Sequence, residues 1–257
     1  MAQSKQNQWH EQWALFRDEE VFLFKDWIYP LKLEDFKDKD VLECGCGGGQ
    51  HTSFIAPYAR SITAVDLNTI DIAAQRNSDF KNVDFIENDI ATMDLGKKFD
   101  IVLSVGVIHH TDDPDKAVQN LKKHVKSGGK LVLWVYSQEG NFLISAFIEP
   151  FRKLFLGHIH KRILMFFSGS ITLLLYPIIY SIYLLPLHWL PYYEYFGNFR
   201  KLSFKRNCLN VFDKLNAPQV EFISKERMLG WFSGKDFNDV AITSYKGVSW
   251  RGSAVKT

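Results

Sequence analysis

The sequence has few cysteines and no strong excess of charge. Its three cysteines, Cys44, Cys46 and Cys208, are too few and odd in number for a disulfide framework. The formal net charge is +2, far from the basic balance of proteins that bind a nucleic-acid backbone. The polar start MAQSKQNQWHEQW has no apolar signal core. These absences predict a protein of a reducing, cytoplasmic compartment with no nucleic-acid partner.

A metal site built on the cysteines is also disfavoured. A closed zinc site needs about four ligands, usually in two pairs, and Cys44 and Cys46 have no second pair. We therefore predict no metal. Both side chains are interpreted as small apolar groups packed where a strand meets a loop.

What the sequence does have is an alternation of strand and helix patterns. Five apolar stretches typical of strands lie at 40–45, 61–67, 82–89, 99–106 and 129–137, and helical patterns separate them. One of those helices is predicted to include 113–129. A further helix with a Ser224 cap precedes two more strands around Lys246 and Gly247. This order predicts an α/β fold with a mainly parallel sheet.

The stretch VLECGCGGGQ, residues 41–50, joins the first strand to a helix through glycines. At Gly45 and Gly47 a ligand could approach the backbone where a Cβ would collide. Glu43 precedes them, and a carboxylate there would repel a pyrophosphate but pair with an ammonium group. The acid thus favours S-adenosylmethionine over a dinucleotide. A dehydrogenase stays as an alternative, because the glycines alone do not exclude a dinucleotide loop.

Acids also follow the second and third strands. Asp66 ends the second strand, where a carboxylate can accept both ribose hydroxyls, and helix capping is its alternative role. Asp89 offers an acceptor for the adenine amine, and Ile90 offers an apolar wall for its ring. Because the carboxyl ends of successive parallel strands meet in one crevice, these residues are predicted to form one cofactor site.

Four stretches, VLECGCGGGQHTSFIA, ITAVDL, VDFIENDI and the segment that begins FDIVLSVGVIHH, together resemble the class I S-adenosylmethionine-dependent methyltransferases. The likeness is to the small-molecule branch that includes the ubiquinone and menaquinone methylases, over roughly residues 35–137. It implies a Rossmann-like seven-stranded sheet of order 3-2-1-4-5-7-6. It also implies Gly45 and Gly47 at the methionine part of the cofactor, Asp66 at the ribose and Asp89 at the adenine. The predicted cofactor site further includes Cys46, Leu67 and Val105.

The stretch SVGVIHHTDDP, after the fourth strand, lies where an acceptor would meet the methyl group. Imidazoles titrate near neutrality, so we predict His110, and next His109, as the catalytic base. Capping or packing is the alternative role for either histidine. In the ubiquinone-type enzymes that this chain resembles, acids near this position help to bind a metal. Gly106 and His109 stand there instead, so a metal-assisted mechanism is not expected.

No Asp, Glu, Lys or Arg occurs from Ile163 to Tyr193, which makes this run a transmembrane candidate by hydropathy. Two arguments oppose a crossing. Pro177, Pro186 and Pro191 divide the run into short pieces. Strands before and after it are predicted in one sheet, so the number of crossings must be even, and two spans of ~20 residues each do not fit.

We therefore predict two domains. Residues 1–137 and 224–257 form the methyltransferase domain, and 138–223 form an inserted apolar helical cap. The segment 142–192 is expected to contact the inner face of the membrane peripherally, with packing on the core as the alternative. The expected activity is O- or C-methylation of a small, hydrophobic or lipid-linked acceptor. A non-catalytic S-adenosylmethionine-binding regulatory or assembly protein is the alternative function.

The N-terminal segment has an amphipathic pattern. Trp9, Trp13 and Phe16 recur at three- and four-residue spacing, which predicts a helix. Its apolar face either packs on the sheet or forms a lid over the cofactor.

Overall fold

The computed structural model describes residues 9–14, 20–152, 154, 159–217 and 219–257. Seven strands form one sheet in the order β3-β2-β1-β4-β5-β7-β6, which confirms the predicted order. The strands are β1 Asp40–Cys44, β2 Ser61–Asp66, β3 Val83–Glu87, β4 Phe99–Val105, β5 Val125–Tyr136, β6 Phe237–Tyr245 and β7 Ser249–Lys256. The pairs β1–β2, β1–β4, β2–β3 and β4–β5 are parallel.

Helices connect the parallel strands. The described α-helices of more than one turn are α1 Val21–Trp27, α2 Gln50–Ile55, α3 Ile70–Arg76, α4 Pro114–Lys123, α5 Lys161–Ile179, α6 Tyr193–Phe199, α7 Phe204–Asn216 and α8 Lys225–Phe232. Residues 9–14 are also helical. Short 3-10 turns cover Leu33–Phe36, Ile108–His110, Glu139–Asn141 and Ile182–Leu184, and a π-helical turn covers Ile144–Ile148 before one α-turn, Glu149–Phe151.

Side-chain caps fix the start of four of these helices, α4, α5, α7 and α8. The Asp113 carboxylate accepts from Lys116 N ahead of α4, and the Ser224 hydroxyl accepts from Arg227 N ahead of α8. The predicted Ser224 cap is thereby confirmed. Each cap satisfies a backbone donor that has no partner within the helix.

Strand β5 begins earlier than predicted. The helix expected over 113–129 ends at Lys123, and β5 starts at Val125. Its pairing with β4 shifts, because Phe99 faces Val125 whereas Ile101 faces Lys130. The extra residues form a bulge in which Gly128 has a φ of 75°, a conformation that glycine adopts without strain.

The last two strands form a hairpin. Lys246 and Gly247 have φ values of 52° and 69°, and Val248 N donates to the Tyr245 carbonyl at 3.1 Å. Positive φ at both central residues is the type I′ geometry that matches strand twist. The predicted pair of strands around Lys246 and Gly247 is thus present.

The described chain divides into two compact units. The first comprises residues up to Val135, Ile223–Thr243 and Trp250–Thr257, and the second comprises Tyr136–Phe222 and Ser244–Ser249. The first unit contains the sheet core, in which Leu42, Val102 and Leu131 are completely buried. The predicted cap, 138–223, did not include the hairpin tip 244–249. Its role as a separate functional domain stays a prediction.

Helix α5 is longer than the sequence predicted. It runs without a break from Lys161 to Ile179 and includes Pro177. Because Pro177 lies in the last turn, its ring removes only the hydrogen bond to the Leu173 carbonyl. The expected division of the apolar run at Pro177 is therefore wrong. Among the described residues, α5 is the one helix long and apolar enough to cross a membrane.

Candidate cofactor and acceptor site

The loop after β1 is held in a conformation that requires glycine. Gly45, Gly47 and Gly49 have φ values of 82°, 53° and 77°. Gly45 N donates to the Val65 carbonyl at 2.7 Å, and the Thr69 hydroxyl donates to the Gly47 carbonyl at 2.6 Å. The carboxyl end of β2 and the start of α3 therefore fix the loop in one shape.

Neighbouring side chains also require the absence of a Cβ. A Cβ at Gly45 would lie 2.4 Å from the Val107 methyl carbons, and one at Gly47 would lie 2.7 Å from the Trp13 indole. Both distances are far inside van der Waals contact. The prediction that a ligand needs these glycines stays untested, whereas packing by Val107 and Trp13 explains them within the protein.

Glu43 is a buried acid at the carboxyl end of β1. It is 2% exposed, and its Oε2 accepts a hydrogen bond from the Thr52 hydroxyl at 2.6 Å. Within the described chain its Oε1 has no hydrogen-bond partner, and His51 Nδ1 lies 3.8 Å away. Burial raises the pKa of Glu43 to about 8, the Thr52 hydroxyl opposes that shift, and the Asp66 charge adds to it. An ammonium group beside Oε1 would supply the missing partner.

We expect the difference in unfolding free energy between the Glu43→Gln variant and the wild type to change as the pH rises. In the unfolded chain the carboxyl ionises near its ordinary pKa of 4.5, whereas in the folded protein it keeps its proton to about pH 8. The folded state then binds more protons, so the wild type should lose on the order of 1 kcal/mol of unfolding free energy per pH unit between these values. Glutamine does not titrate and can still accept from Thr52.

Denaturant unfolding of the ligand-free variant and wild type at pH 5, 6.5 and 8 measures this difference. Other titrating groups cancel in the comparison. A constant difference across that range would contradict a protonated Glu43.

Asp66 lies at the carboxyl end of β2, directly beside the glycine loop. Its Oδ2 accepts from Gly47 N at 2.9 Å, and its Oδ1 accepts from Asn68 N at 3.4 Å. The N-cap of α3 is Thr69, so Asp66 is not the capping residue that the alternative suggested. The next residue, Leu67, is 41% exposed. The Asp66 carboxylate is half-buried and keeps acceptor capacity for further hydroxyl donors.

The third predicted acid starts the loop after β3. Asp89 Oδ1 accepts from Ala91 N at 2.8 Å, which leaves the other carboxylate oxygen available. Ile90 is 6% exposed and belongs to the core cluster, and its carbonyl accepts from Asn120 Nδ2 at 3.0 Å. The side chain of Ile90 therefore packs chiefly on the protein. Its predicted contact with adenine remains a prediction.

Cys46 and Val105 are buried at the same strand ends. They are 4% and 7% exposed. Burial raises the pKa of the Cys44 and Cys46 thiols, which keeps them protonated and unreactive. In the described ranges no group of three or more His, Cys, Asp and Glu side chains is placed to hold a metal.

The two candidate catalytic histidines differ in exposure. His109 is completely buried, whereas His110 is half-buried in the 3-10 turn after β4. Their ring centroids lie 4.2 Å apart. His110 is therefore the more accessible of the two, and a catalytic role for either histidine stays a prediction.

Aromatic rings form a continuous row on both sides of these histidines. Neighbouring ring centroids in this row lie 4.2–6.2 Å apart. We name it the aromatic row, and its members in spatial order are Trp9, His110, His109, Trp134, Trp27, His51 and Phe24. The flat apolar surface that a ligand could reach comes from the partly exposed members of the row, which are Trp9, His110, Trp27 and His51, because Phe24, His109 and Trp134 are buried.

Sequence reasoning missed four members of the aromatic row. His51 follows the glycine loop by two residues, Phe24 and Trp27 lie in α1, and Trp134 lies in β5. The signal that could have found Trp134 is parallel pairing, since it lies beside Val105 in the β4–β5 register. No local spacing connects Trp27 with His51 or Trp134.

The helical segment 9–14 covers the glycine loop. The Trp13 indole lies against Gly47, and the Trp13 carbonyl accepts from Arg76 Nη2 at 2.8 Å. His10 Nε2 lies 3.2 Å from Asp71 Oδ2. The segment therefore packs on the glycine loop and α3, and its function as a lid over the cofactor stays a prediction. Phe16, the third apolar position of the predicted helix, lies outside the described residues.

Comparison with known proteins agrees with this architecture. Residues 42–133 match the family model described as a methyltransferase domain. A ubiquinone biosynthesis O-methyltransferase of Coxiella burnetii is 30% identical over 154 residues, which are 51% of this chain and 64% of that protein. The nodulation protein S of Azorhizobium caulinodans is 31% identical over 97 residues, 36% of this chain and 47% of that protein. The chain thus spans less than two thirds of the curated relatives it matches.

Two solved structures share the fold. The N-methyltransferase NodS from Bradyrhizobium japonicum, in complex with S-adenosyl-L-homocysteine, aligns over 95% of this chain and 91% of its own, with a TM-score of 0.54 and 13% identity. Magnesium protoporphyrin IX methyltransferase from Synechocystis aligns over 92% and 82%, with a TM-score of 0.54 and 12% identity. At these identities the likeness concerns the fold alone.

Proposed function

We propose a methyl-transfer function for this chain, which carries the domain of the class I S-adenosylmethionine-dependent methyltransferases over residues 42–133. The proposed reaction is the methylation of an oxygen or carbon atom of a small hydrophobic acceptor. The observation that carries the proposal is the buried Glu43 carboxyl, whose Oε1 has no hydrogen-bond partner in the described chain.

Three residues at successive strand ends fit the groups of S-adenosylmethionine. Glu43 would accept from its ammonium group, Asp66 would accept from the ribose hydroxyls, and Asp89 would accept from the adenine amine. When bound, this cofactor supplies an electrophilic methyl group. An ionised Glu43 beside the glycine turn would repel a pyrophosphate, whereas Asp66 at a ribose suits either cofactor. This charge pattern disfavours the dehydrogenase alternative.

The aromatic row suits an acceptor with a flat or apolar body. Trp27 and Trp134 lie with their ring centroids 5.0 Å apart, and Trp134 lies 6.2 Å from His109. The names of the curated relatives refer to ubiquinone biosynthesis and nodulation, and one fold neighbour is named for a porphyrin. Those names support a small-molecule acceptor, and the quinone and porphyrin names support a ring system.

The protein's contribution to the reaction is mainly alignment. A hydroxyl of the acceptor must face the methyl carbon in line with the bond that breaks, and the aromatic row would hold the acceptor there while excluding water. As the new oxygen–carbon bond forms, the hydroxyl proton would pass to the imidazole of His110. For transfer to carbon, the same imidazole would take the proton from that carbon after methylation.

The direct test uses S-adenosylmethionine labelled in its methyl group. We expect the purified protein to transfer label from it to a compound in an organic extract of the source cells. Solvent partition followed by mass spectrometry identifies the labelled product. The Asp66→Ala variant serves as the control that lacks a cofactor contact. Binding of the cofactor without label in any fraction would instead favour the non-catalytic regulatory or assembly role.

A further inference from the structure

The second compact unit contains a helix whose burial pattern is inverted. In α5 the buried positions are Leu164, Ser168, Thr172 and Ile179. Two of these four are hydroxyl residues, whereas the outward positions carry large apolar side chains. A helix of a water-soluble protein normally buries its apolar side chains and exposes its polar ones.

The inward hydroxyls of α5 are satisfied by their own helix. Ser168 Oγ donates to the Leu164 carbonyl at 2.8 Å, and Thr172 Oγ1 donates to the Ser168 carbonyl at 2.7 Å. Small residues with satisfied hydroxyls allow close packing, and α5 packs on α7. The side of α5 that packs on α7 therefore has the small, hydroxyl-bearing residues typical of helix–helix interfaces in membranes.

The outward side of α5 is apolar over a wide arc. Phe166 and Leu174 are both 72% exposed. The other exposed large apolar residues of the helix are Ile163, Phe167, Ile171, Leu173 and Ile178. At about 100° per residue these positions cover an arc of roughly 160°. The apolar exposure continues beyond the helix at Ile182, Leu184, Leu185 and Trp189.

The charged residues around α5 are almost all basic. Between Ile159 and Arg206 the one acid is Glu194. The bases of the same interval are Lys161, Arg162, Arg200, Lys201, Lys205 and Arg206. They flank the uncharged run at both ends. Basic flanks on an apolar segment complement the headgroups of anionic lipids.

We propose that residues 161–192 form a membrane-binding surface that inserts into one leaflet of an anionic bilayer without crossing it. The lipid occupant follows from the inverted burial of α5, the breadth of its apolar arc and the flanking bases. A single crossing is excluded by the topology, since β5 and β6 precede and follow this segment in one sheet. The described chain offers one helix of spanning length, so a return crossing has no second helix.

Vesicle flotation with the full-length protein tests this proposal. We expect the wild type to float with vesicles of phosphatidylcholine and phosphatidylglycerol, and to float less at 1 M salt, since salt screens the basic flanks. A double variant, Phe166→Ser with Leu174→Ser, should bind these vesicles about 100-fold more weakly because two inserted side chains are lost. Both positions are exposed, so the variant is expected to fold.

Leu229→Ser is the matched control, because Leu229 is an exposed leucine of α8, 46% exposed, and lies in the first compact unit, outside residues 161–192. It should float as the wild type does. Failure of the wild type to float with anionic vesicles, or equal flotation of the double variant, would overturn the proposal. A concentration-dependent dimer that the double variant abolishes would assign the surface to a second copy of the chain. Protease cleavage of the segment from both sides of sealed vesicles would show a crossing.

Discussion

Replacing Asp66 with alanine should weaken the binding of S-adenosylmethionine by roughly 30- to 150-fold, or about 2–3 kcal/mol, because two charge-assisted hydrogen bonds to the ribose hydroxyls are lost. Asp66 is the half-buried acid at the end of β2, and Gly47 N already donates to its Oδ2 at 2.9 Å. The substitution therefore also removes an anchor of the glycine loop. Calorimetric titration with S-adenosylhomocysteine, the unreactive product, measures the affinity without turnover.

Two further variants separate the loss of ribose contacts from other effects. Asp66→Asn keeps an acceptor oxygen for Gly47 N, so it should retain the loop and lose only part of the affinity. Glu87→Ala removes an exposed acid that faces Asp66 in the β2–β3 register, and it should leave binding unchanged. Wild-type affinity in Asp66→Ala, or tighter binding of NAD than of S-adenosylmethionine, would contradict the assignment of this site.

The central strands of the sheet could be predicted because they are almost wholly buried. Val41, Leu42 and Cys44 in β1 are completely buried, and such strands are continuous apolar runs in the sequence. Their alternation with helices fixes a parallel arrangement. The order of the strands came from family resemblance, since no local pattern states which strand lies beside which.

The errors in the fold arose where tertiary context overrides a local signal. The local pattern predicts a helix that ends at Gly128 and Gly129, whereas both residues lie in a bulge inside β5. Pro177 was read as a break, yet near the end of α5 it removes one hydrogen bond and the helix continues. Glycine and proline can each end a helix, but their positions within β5 and α5 decide whether they do.

The sequence located the acids of the site but not their state. The sequence predicts Glu43 as an ionised carboxylate that pairs with an ammonium group. In the protein without ligand, burial raises the pKa of Glu43 to about 8, so the side chain is protonated below that pH. Burial depends on the packing of β1 between β2 and β4, which one segment of sequence does not specify. The aromatic row was missed for the same reason, since its members come from separate elements.

The sequence also does not show which way the apolar residues of α5 face. Both the membrane interpretation and the core-packing alternative are compatible with an uncharged run of 31 residues. The structure distinguishes the two faces of the helix, because Ser168 and Thr172 are buried while Phe166 and Leu174 are exposed. This pattern favours lipid contact over packing on a protein core.

Replacing His110 with alanine should lower turnover by about 100-fold or more, while the affinity for S-adenosylhomocysteine stays nearly unchanged. His110 is half-buried beside the Trp9 ring, and the two ring centroids lie 4.8 Å apart. The cofactor affinity should not change, because none of the three acids assigned to the cofactor lies in the 3-10 turn of His110. A protonated imidazole cannot accept the hydroxyl proton, so the wild-type rate should fall as the pH is lowered. The variant should lack this fall.

Two substitutions make the His110 result specific. His110→Gln keeps a polar side chain of similar size but cannot accept the proton as imidazole does, so it should be as slow as the alanine variant. His10→Ala removes another half-buried histidine, which contacts Asp71, and its turnover and pH profile should match the wild type. His109 is unsuitable as a control because it is completely buried in the core. If His110→Ala keeps the wild-type rate and pH profile, alignment by the aromatic row alone carries the catalysis, and the proton leaves through solvent.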